Sequence, residues 1–220
     1  MKHKAKRIWE GICLSLFLVI ILVFSFRVSI LMRAGRFMAP GDNDSADVAI
    51  LEGSEFIDRG IITAGMKLLS PGKVTKLIVV LHRIAPSHRP FALHEDYSGL
   101  VRKELKALGL NERDFRIIVA NIHGPITLIE AREVAEILSK EENVKSALLL
   151  SPGFHTRRSY LIYRHICSPF QIKIFPSACF NLYRLDHWWS QEEGLRDVAT
   201  ELAKLTYYLA EGYIPLKLSY

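Results

Sequence analysis

At 220 residues and 50% hydrophobic content, the chain is long enough for one globular domain plus an appendage and apolar enough to fill a core. Its formal charge of +6 is confined to the start: residues 1 to 36 hold seven Lys/Arg and one Glu, leaving 22 of each sign in the remainder. A neutral body without a basic stripe lacks the footprint that phosphate-backbone binding needs, so nucleic acid is excluded as the expected partner.

The N-terminal MKHKAKR is followed by Ile8-Trp9-Glu10 and then by sixteen uncharged residues, Gly11 to Phe26 (GICLSLFLVIILVFSF). At 1.5 Å per residue that run covers about 24 Å, short of a ~30 Å hydrocarbon core, but Val28 to Met32 extend it once Arg27 snorkels. One spanning helix of roughly residues 8 to 32 is therefore predicted, with residues 1 to 36 forming a basic tail and anchor. A cleaved signal peptide has the same basic start and apolar middle, yet the run is long for that role and no A-x-A site follows it, so an uncleaved anchor is expected. Lys2, Lys4, Lys6 and Arg7 precede the helix and Arg27, Arg33 and Arg36 follow it, which favours a cytoplasmic N-terminus and an extracytoplasmic domain in the inner or plasma membrane.

Residues 37 to 46, with Ala39-Pro-Gly-Asp-Asn-Asp-Ser45, read as a linker, 47 to 212 as one α/β domain and 213 to 220 as a tail. Within the domain, short runs rich in Val, Ile and Leu predict strands at 47–51, 76–81, 115–120, 146–150 and 171–175. Helix-period segments fall between them at about 56–70, 94–109, 128–142 and 154–167, and a last long one at about 190–211. The alternation defines a Rossmann-like, doubly wound, mainly parallel five-stranded sheet. In the last helix Leu195, Val198, Leu202, Leu205 and Leu209 form one stripe, expected to close the sheet's flank. The long irregular stretch 83–93 (RIAPSHRPFAL) reads equally as a lid and as a plain connection.

Ligands of such sheets lie outside the strand carboxyl ends, where strand order reverses. The segments following the strands are polar: Glu52-Gly-Ser-Glu55, His82-Arg83, Asn121-Ile-His-Gly-Pro-Ile-Thr127 and SPGFHTRR at 151 to 158. In the last of these, His155, Arg158, Ser159, Ile162 and Ile166 share a helical face, so His155 and Arg158 are expected to point into the crevice and Arg157 to solvent. With the helix N-terminus, the pair suits a phosphate or carboxylate. Thr127 and Glu130 fit a capping box, and Arg59 reads as a solvated charge. A dinucleotide fingerprint, a P-loop, a nucleophile elbow and a metal-spaced histidine pair are all lacking, so no metal is expected and the cofactor is left unassigned. Trp188-Trp189 reads as a packing corner, and Cys167 and Cys179 are free to pair or not in an oxidising compartment.

The order ADVAILEG, Ile57-Asp-Arg-Gly60, Gly72, T-x-x-E-A at Thr127 to Ala131, FHTRRS after the fourth strand and a late E-x-x-K at Glu201 and Lys204 resembles the YdcF/SanA/ElyC-like family of bacterial domains, over residues 46 to 212. The resemblance implies a Rossmann-like sheet with a site at Gly53, Arg59, Thr127, Glu130, His155 and Arg158, and a place in envelope metabolism, acting on a peptidoglycan precursor or lipid carrier. The chain departs from the family's pattern in having Glu52 before Gly53 and His82-Arg83 with a long loop after the second strand. The resulting expectation is a membrane-anchored domain that binds an anionic, phosphorylated ligand, with His155 as acid or base oriented by Glu130, and with Arg158 and Arg59 as cations. A non-catalytic envelope interaction factor and a cytoplasmic small-cofactor binder are the other two readings.

Overall fold

The computed structural model describes residues 2–41, 45–54, 57–69, 72–83 and 97–215. Most of the 83–93 loop and the last five residues lie outside the described residues.

Five parallel strands, β1 (Val48–Glu52), β2 (Lys76–His82), β3 (Phe115–Ala120), β4 (Ser146–Pro152) and β5 (Lys173–Cys179), form one sheet in the order β3-β2-β1-β4-β5. Order reverses between β1 and β4, which pair in register from Val48 with Ala147 to Leu51 with Leu150. The helices are α1 (Lys2–Met38), α2 (Arg59–Leu69), α3 (Ser98–Ala107), α4 (Ile126–Leu138), α5 (His155–Cys167) and α6 (Glu192–Ala210). The central strands are buried at every inner position because both faces are covered. Ile61, Ile62, Val101 and Leu105 of α2 and α3 pack on Leu51, Leu77 and Val79, whereas α4, α5 and α6 pack on Ile50, Ile78 and Leu149. The sheet is thus doubly wound, as the alternation of runs predicts.

Within α1, the stretch Gly11–Met38 is long and apolar enough to cross a membrane. Arg27 folds back on the helix, donating to the Phe24 carbonyl at 2.9 Å and lying over the Phe24 ring. The expected linker from residue 37 is corrected: α1 runs unbroken to Met38, and Met38 and Ala39 are buried in the domain core. Trp188, in the short 3-10 segment Leu185–Ser190, donates its indole N–H to the Leu31 carbonyl at 3.1 Å. A Cβ at Gly35 would stand 2.9 Å from that indole nitrogen, so glycine is what permits the close approach. Trp188 also meets Phe154 edge-on, and Phe154 stacks on Tyr183, confirming the packing corner.

The last helix is rotated from its expected phase. Gly194, Val198, Glu201, Leu205 and Tyr208 are buried, while Leu195 and Leu202 are exposed. A carboxylate with buried cationic partners outcompetes two leucines for the inner face, because a charge paired inside the fold holds its position only if its helix turns toward the partner.

The two domain cysteines are free thiols on opposite sides of the sheet: Cys167 is buried with the α4 and α5 core, and Cys179 packs against the α2 and α3 core.

Candidate functional site

The β1 and β4 ends, with the starts of α4 and α5 and the inner face of α6, enclose a cavity of about 760 Å³. Its position at the reversal of strand order is the one that a doubly wound sheet offers a ligand, because two crossovers leave in opposite directions there and open a crevice.

At its base Glu52, the last residue of β1, is 2% exposed. Ser151 of β4 and Ser159 of α5 both donate hydroxyls to it, one to each carboxylate oxygen. Burial opposes its charge, but His155 and these hydroxyls outweigh that and hold it below the usual carboxylate range. One turn before Ser159 stands His155, with Nε2 at 3.0 Å from the Ser159 hydroxyl and 3.7 Å from Glu52. On its other side Nδ1 lies 3.3 Å from Glu201 of α6. Burial works against the imidazolium, yet Glu52 and then Glu201 override it, and the ring is pushed up to about 9. The ring nitrogens of His155 thus face two carboxylates, the Ser159 hydroxyl and the Arg158 guanidinium.

Arg158 is 4% exposed and anchored three ways. Nε donates to Glu201 at 2.9 Å, Nη2 to Glu201 at 3.2 Å and Nη1 to the Thr127 hydroxyl at 2.6 Å. Nη2 also lies 2.6 Å from His155 Nδ1. In that contact the guanidinium donates and the ring nitrogen accepts, and Glu201, beside both groups, is held well below the ordinary glutamate range despite its burial by His155 and then Arg158. Breaking such a buried pair by removing one partner costs about 3 to 5 kcal/mol.

The serine, histidine and glutamate are ordered as in a hydrolase triad, but Ser159 is fully buried, is not part of the cavity wall and donates to Glu52. A nucleophile has to meet substrate, so Ser159 is a positioning residue for His155.

Of the expected site residues, Gly53, Thr127, Glu130, His155 and Arg158 are brought together on the cavity wall. Arg59 is exposed at the start of α2 and is not on the wall. Its neighbour Asp58 is. The expected capping box is also corrected: α4 begins at Ile126, two residues earlier, with Pro125 as N-cap and its carbonyl accepting from Leu128 and Ile129. Thr127 is thereby released to accept from Arg158. Glu130 does not orient His155. It accepts from the Tyr163 hydroxyl at 2.9 Å and meets His82 Nε2 at 3.1 Å, and burial together with the Glu52 charge raises its pKa although His82 and Tyr163 pull it down. The orienting carboxylate is Glu201, carried by the E-x-x-K pattern, with Lys204 Nζ 2.9 Å from it.

The expected anion position at the start of α5 already holds a side chain. Asp197 accepts from the Phe154 N–H at 3.2 Å and from the Tyr183 hydroxyl, beside Gly153 at φ 45°. Arg157 is not released to solvent but lies with its guanidinium 4.3 Å over the Phe37 ring at the end of α1. A cation that close to an aromatic face exchanges part of its hydration for the ring's quadrupole.

Among the described residues no cluster of three His, Cys, Asp or Glu has metal-holding geometry. On the wall, six carboxylates (Glu52, Asp58, Glu130, Glu193, Asp197 and Glu201) face Arg158, Arg196 and Lys204 with His82 and His155. Phe180, Leu182, Tyr183, Tyr207 and Tyr208 supply the apolar part. Such a wall can hold a charged group at its base, accept hydrogen bonds from ligand hydroxyls or amines, and deliver a proton from His155. Together, fold and cavity define a Rossmann-like α/β protein with a strand-end site, carried on a helix fit to cross a membrane. No protein-family model, curated protein or solved structure matches the chain.

Proposed function

We propose that this chain is a membrane-anchored, extracytoplasmic domain that binds an anionic, phosphate-bearing envelope precursor in the strand-end cavity. The observation that carries this reading is the placement of His155 at the cavity base, between Glu52 and Glu201 and beside Arg158. Arg158 is committed to Glu201 and Thr127, so its role is to fix the electrostatics of the base, while His155, Arg196 and Lys204 meet the ligand anion. The surrounding carboxylates take hydrogen bonds from hydroxyl or amine groups of the same ligand, which fits a phosphorylated sugar or peptide better than a bare phosphate.

His155 is a general acid for hydrolysis or group transfer at the anion: water or an acceptor hydroxyl forms a new bond to phosphorus as the bond to the leaving oxygen breaks, His155 gives that oxygen its proton, and the proton lost by the attacking group passes to solvent, from which the ring is reprotonated, with Glu201 holding it in place. The resemblance of the FHTRRS and T-x-x-E-A segments to the YdcF/SanA/ElyC-like family supports a place in peptidoglycan-precursor or lipid-carrier metabolism. The excess of Lys2, Lys4, Lys6 and Arg7 ahead of the apolar stretch of α1 supports a cytoplasmic N-terminus. A second reading, a non-catalytic envelope binding factor, is favoured by the internal neutralisation of Arg158 by Glu201 and of the α5 N-terminus by Asp197.

The test uses the full chain in detergent with three probes: a short-chain isoprenyl phosphate, the matching isoprenol, and inorganic pyrophosphate. Binding of the phosphate over the alcohol, weakened at least tenfold by His155→Ala and by Arg158→Ala, is expected. Equal binding of the alcohol refutes the anion site, and released phosphate separates enzyme from binder. A reporter fused at Tyr220 that is active only in the cytoplasm refutes the topology.

A further inference from the structure

The end of α1 and the wall of the cavity share one aromatic cluster. Trp188, which holds the Leu31 carbonyl and abuts Gly35, lies 5.6 Å from Phe154. Phe154 in turn lies 5.6 Å from Tyr183 and 5.4 Å from Phe180, both on the cavity wall. On the neighbouring turn of α5, Arg157 rests on Phe37 while the next residue, Arg158, faces the cavity.

The heights follow from helix geometry. From Gly11 to Leu31 a helix rises about 30 Å, the thickness of a hydrocarbon core, so Leu31 and the Trp188 side chain bonded to it stand at the edge of that core. Trp is favoured at that level. Phe37 is about 9 Å further out, close to the roughly 5 to 8 Å depth of a headgroup layer. Leu182 is 76% exposed on the cavity rim and Leu195 is 50% exposed, and they flank the Leu185–Ser190 segment that α1 docks on. Exposed leucines beside a membrane-edge tryptophan have an apolar partner if lipid is there, and none if the domain floats free on a linker.

We infer that the domain sits on the membrane with the cavity rim at Leu182 in the headgroup layer, so that the site takes an amphipathic, lipid-linked ligand directly from the bilayer that α1 crosses. The inference rests on the phosphate-binding reading above and names the source of that ligand. It also bears on processing: cleavage of α1 before Gly35 would remove the Leu31 carbonyl and uncover the Trp188 indole bonded to it.

The full chain, with Cys13→Ser, is reconstituted in phosphatidylcholine and phosphatidylglycerol vesicles and labelled with a thiol-reactive fluorophore at Leu182→Cys or Leu100→Cys. Leu100 is 51% exposed on α3, which packs at β3, four strands from β5. Quenching by a headgroup-spin-labelled lipid is expected to be several-fold stronger at position 182 than at position 100. Gly35→Leu, which cannot seat against Trp188, is expected to abolish the difference with the helix still inserted. Equal quenching at both positions, or a difference unchanged by Gly35→Leu, overturns the inference. Pyrophosphate binding measured on the unlabelled parent chain in the same vesicles separates the two proposals: binding that persists without selective quenching leaves the anion site standing and removes the membrane-facing rim, and selective quenching without binding does the reverse.

Discussion

Replacing Glu52 by Gln should lower the proton affinity of His155. Glu52 is the largest of the influences raising the imidazole from 6.5 to about 9. Glutamine keeps the side-chain volume, and once one serine hydroxyl turns to accept, it can still satisfy Ser151 and Ser159. At 1.36 kcal/mol per tenfold change in proton affinity, the displaced histidine represents about 3 kcal/mol of folded-state preference for the proton. The folded value lies above the unfolded one, so this contribution is complete below about pH 6.5 and is lost as pH rises to about 9. The full chain in micelles should therefore lose about 3 kcal/mol of unfolding free energy between pH 6 and 9.5, and Glu52→Gln should lose much less over the same interval. Histidine NMR, with the His155 signal assigned through His155→Gln, should place its titration near 9 in the parent and at least one pH unit lower in the variant. A parent His155 that titrates at or below 6.5, or a Glu52→Gln protein whose His155 still titrates near 9, refutes the reasoning.

Glu201→Gln leaves the buried Arg158 guanidinium without its counter-charge and should destabilise the domain by about 3 to 5 kcal/mol in urea unfolding. Loss of under 1 kcal/mol would show that Arg158 has another partner. Gly153→Ala should cost about 2 kcal/mol or more, since φ is 45° there and a Cβ would lie 2.5 Å from the Tyr183 hydroxyl and 2.7 Å from Asp197. A melting temperature unchanged by that substitution would contradict the geometry. Burial pushes the Cys167 thiol up to about 12 and, with Asp58 nearby, the Cys179 thiol up to about 11. At pH 8 both should react with iodoacetamide far more slowly in the native protein than in urea, and mass spectrometry after mild oxidation should find no bond between them.

Strand positions were legible because buried parallel strands are continuous apolar runs, and the five predicted segments all overlap observed ones. The faces of the helices were only partly legible. In α5 the period singled out His155, Arg158, Ser159 and Ile162 correctly, because apolar and polar members of that stripe are buried together. In α6 the same method chose the leucine stripe and missed Asp197 and Glu201, because hydrophobicity alone gives a carboxylate no reason to turn inward. The signal lay in another element: an Arg and a His predicted to face a crevice need a counter-charge, and the Glu201 of the E-x-x-K pattern was the available one. Glu130 was assigned a site role on resemblance and lines the cavity, yet its partners His82 and Tyr163 come from β2 and α5, and no spacing within α4 reveals them. Arg157 was misplaced because its partner, Phe37, belongs to a segment read as linker.

The unbroken passage of α1 into the core leaves the protein without a hinge between bilayer and domain. A helix that fits a ~30 Å core must tilt by roughly 26° in one of ~27 Å, and with Gly35 pressed on Trp188 the whole domain leans by the same angle. On the membrane-anchored reading proposed above, bilayer thickness would be converted into the inclination of the cavity over the lipid surface, so that membrane composition would act on this site mechanically.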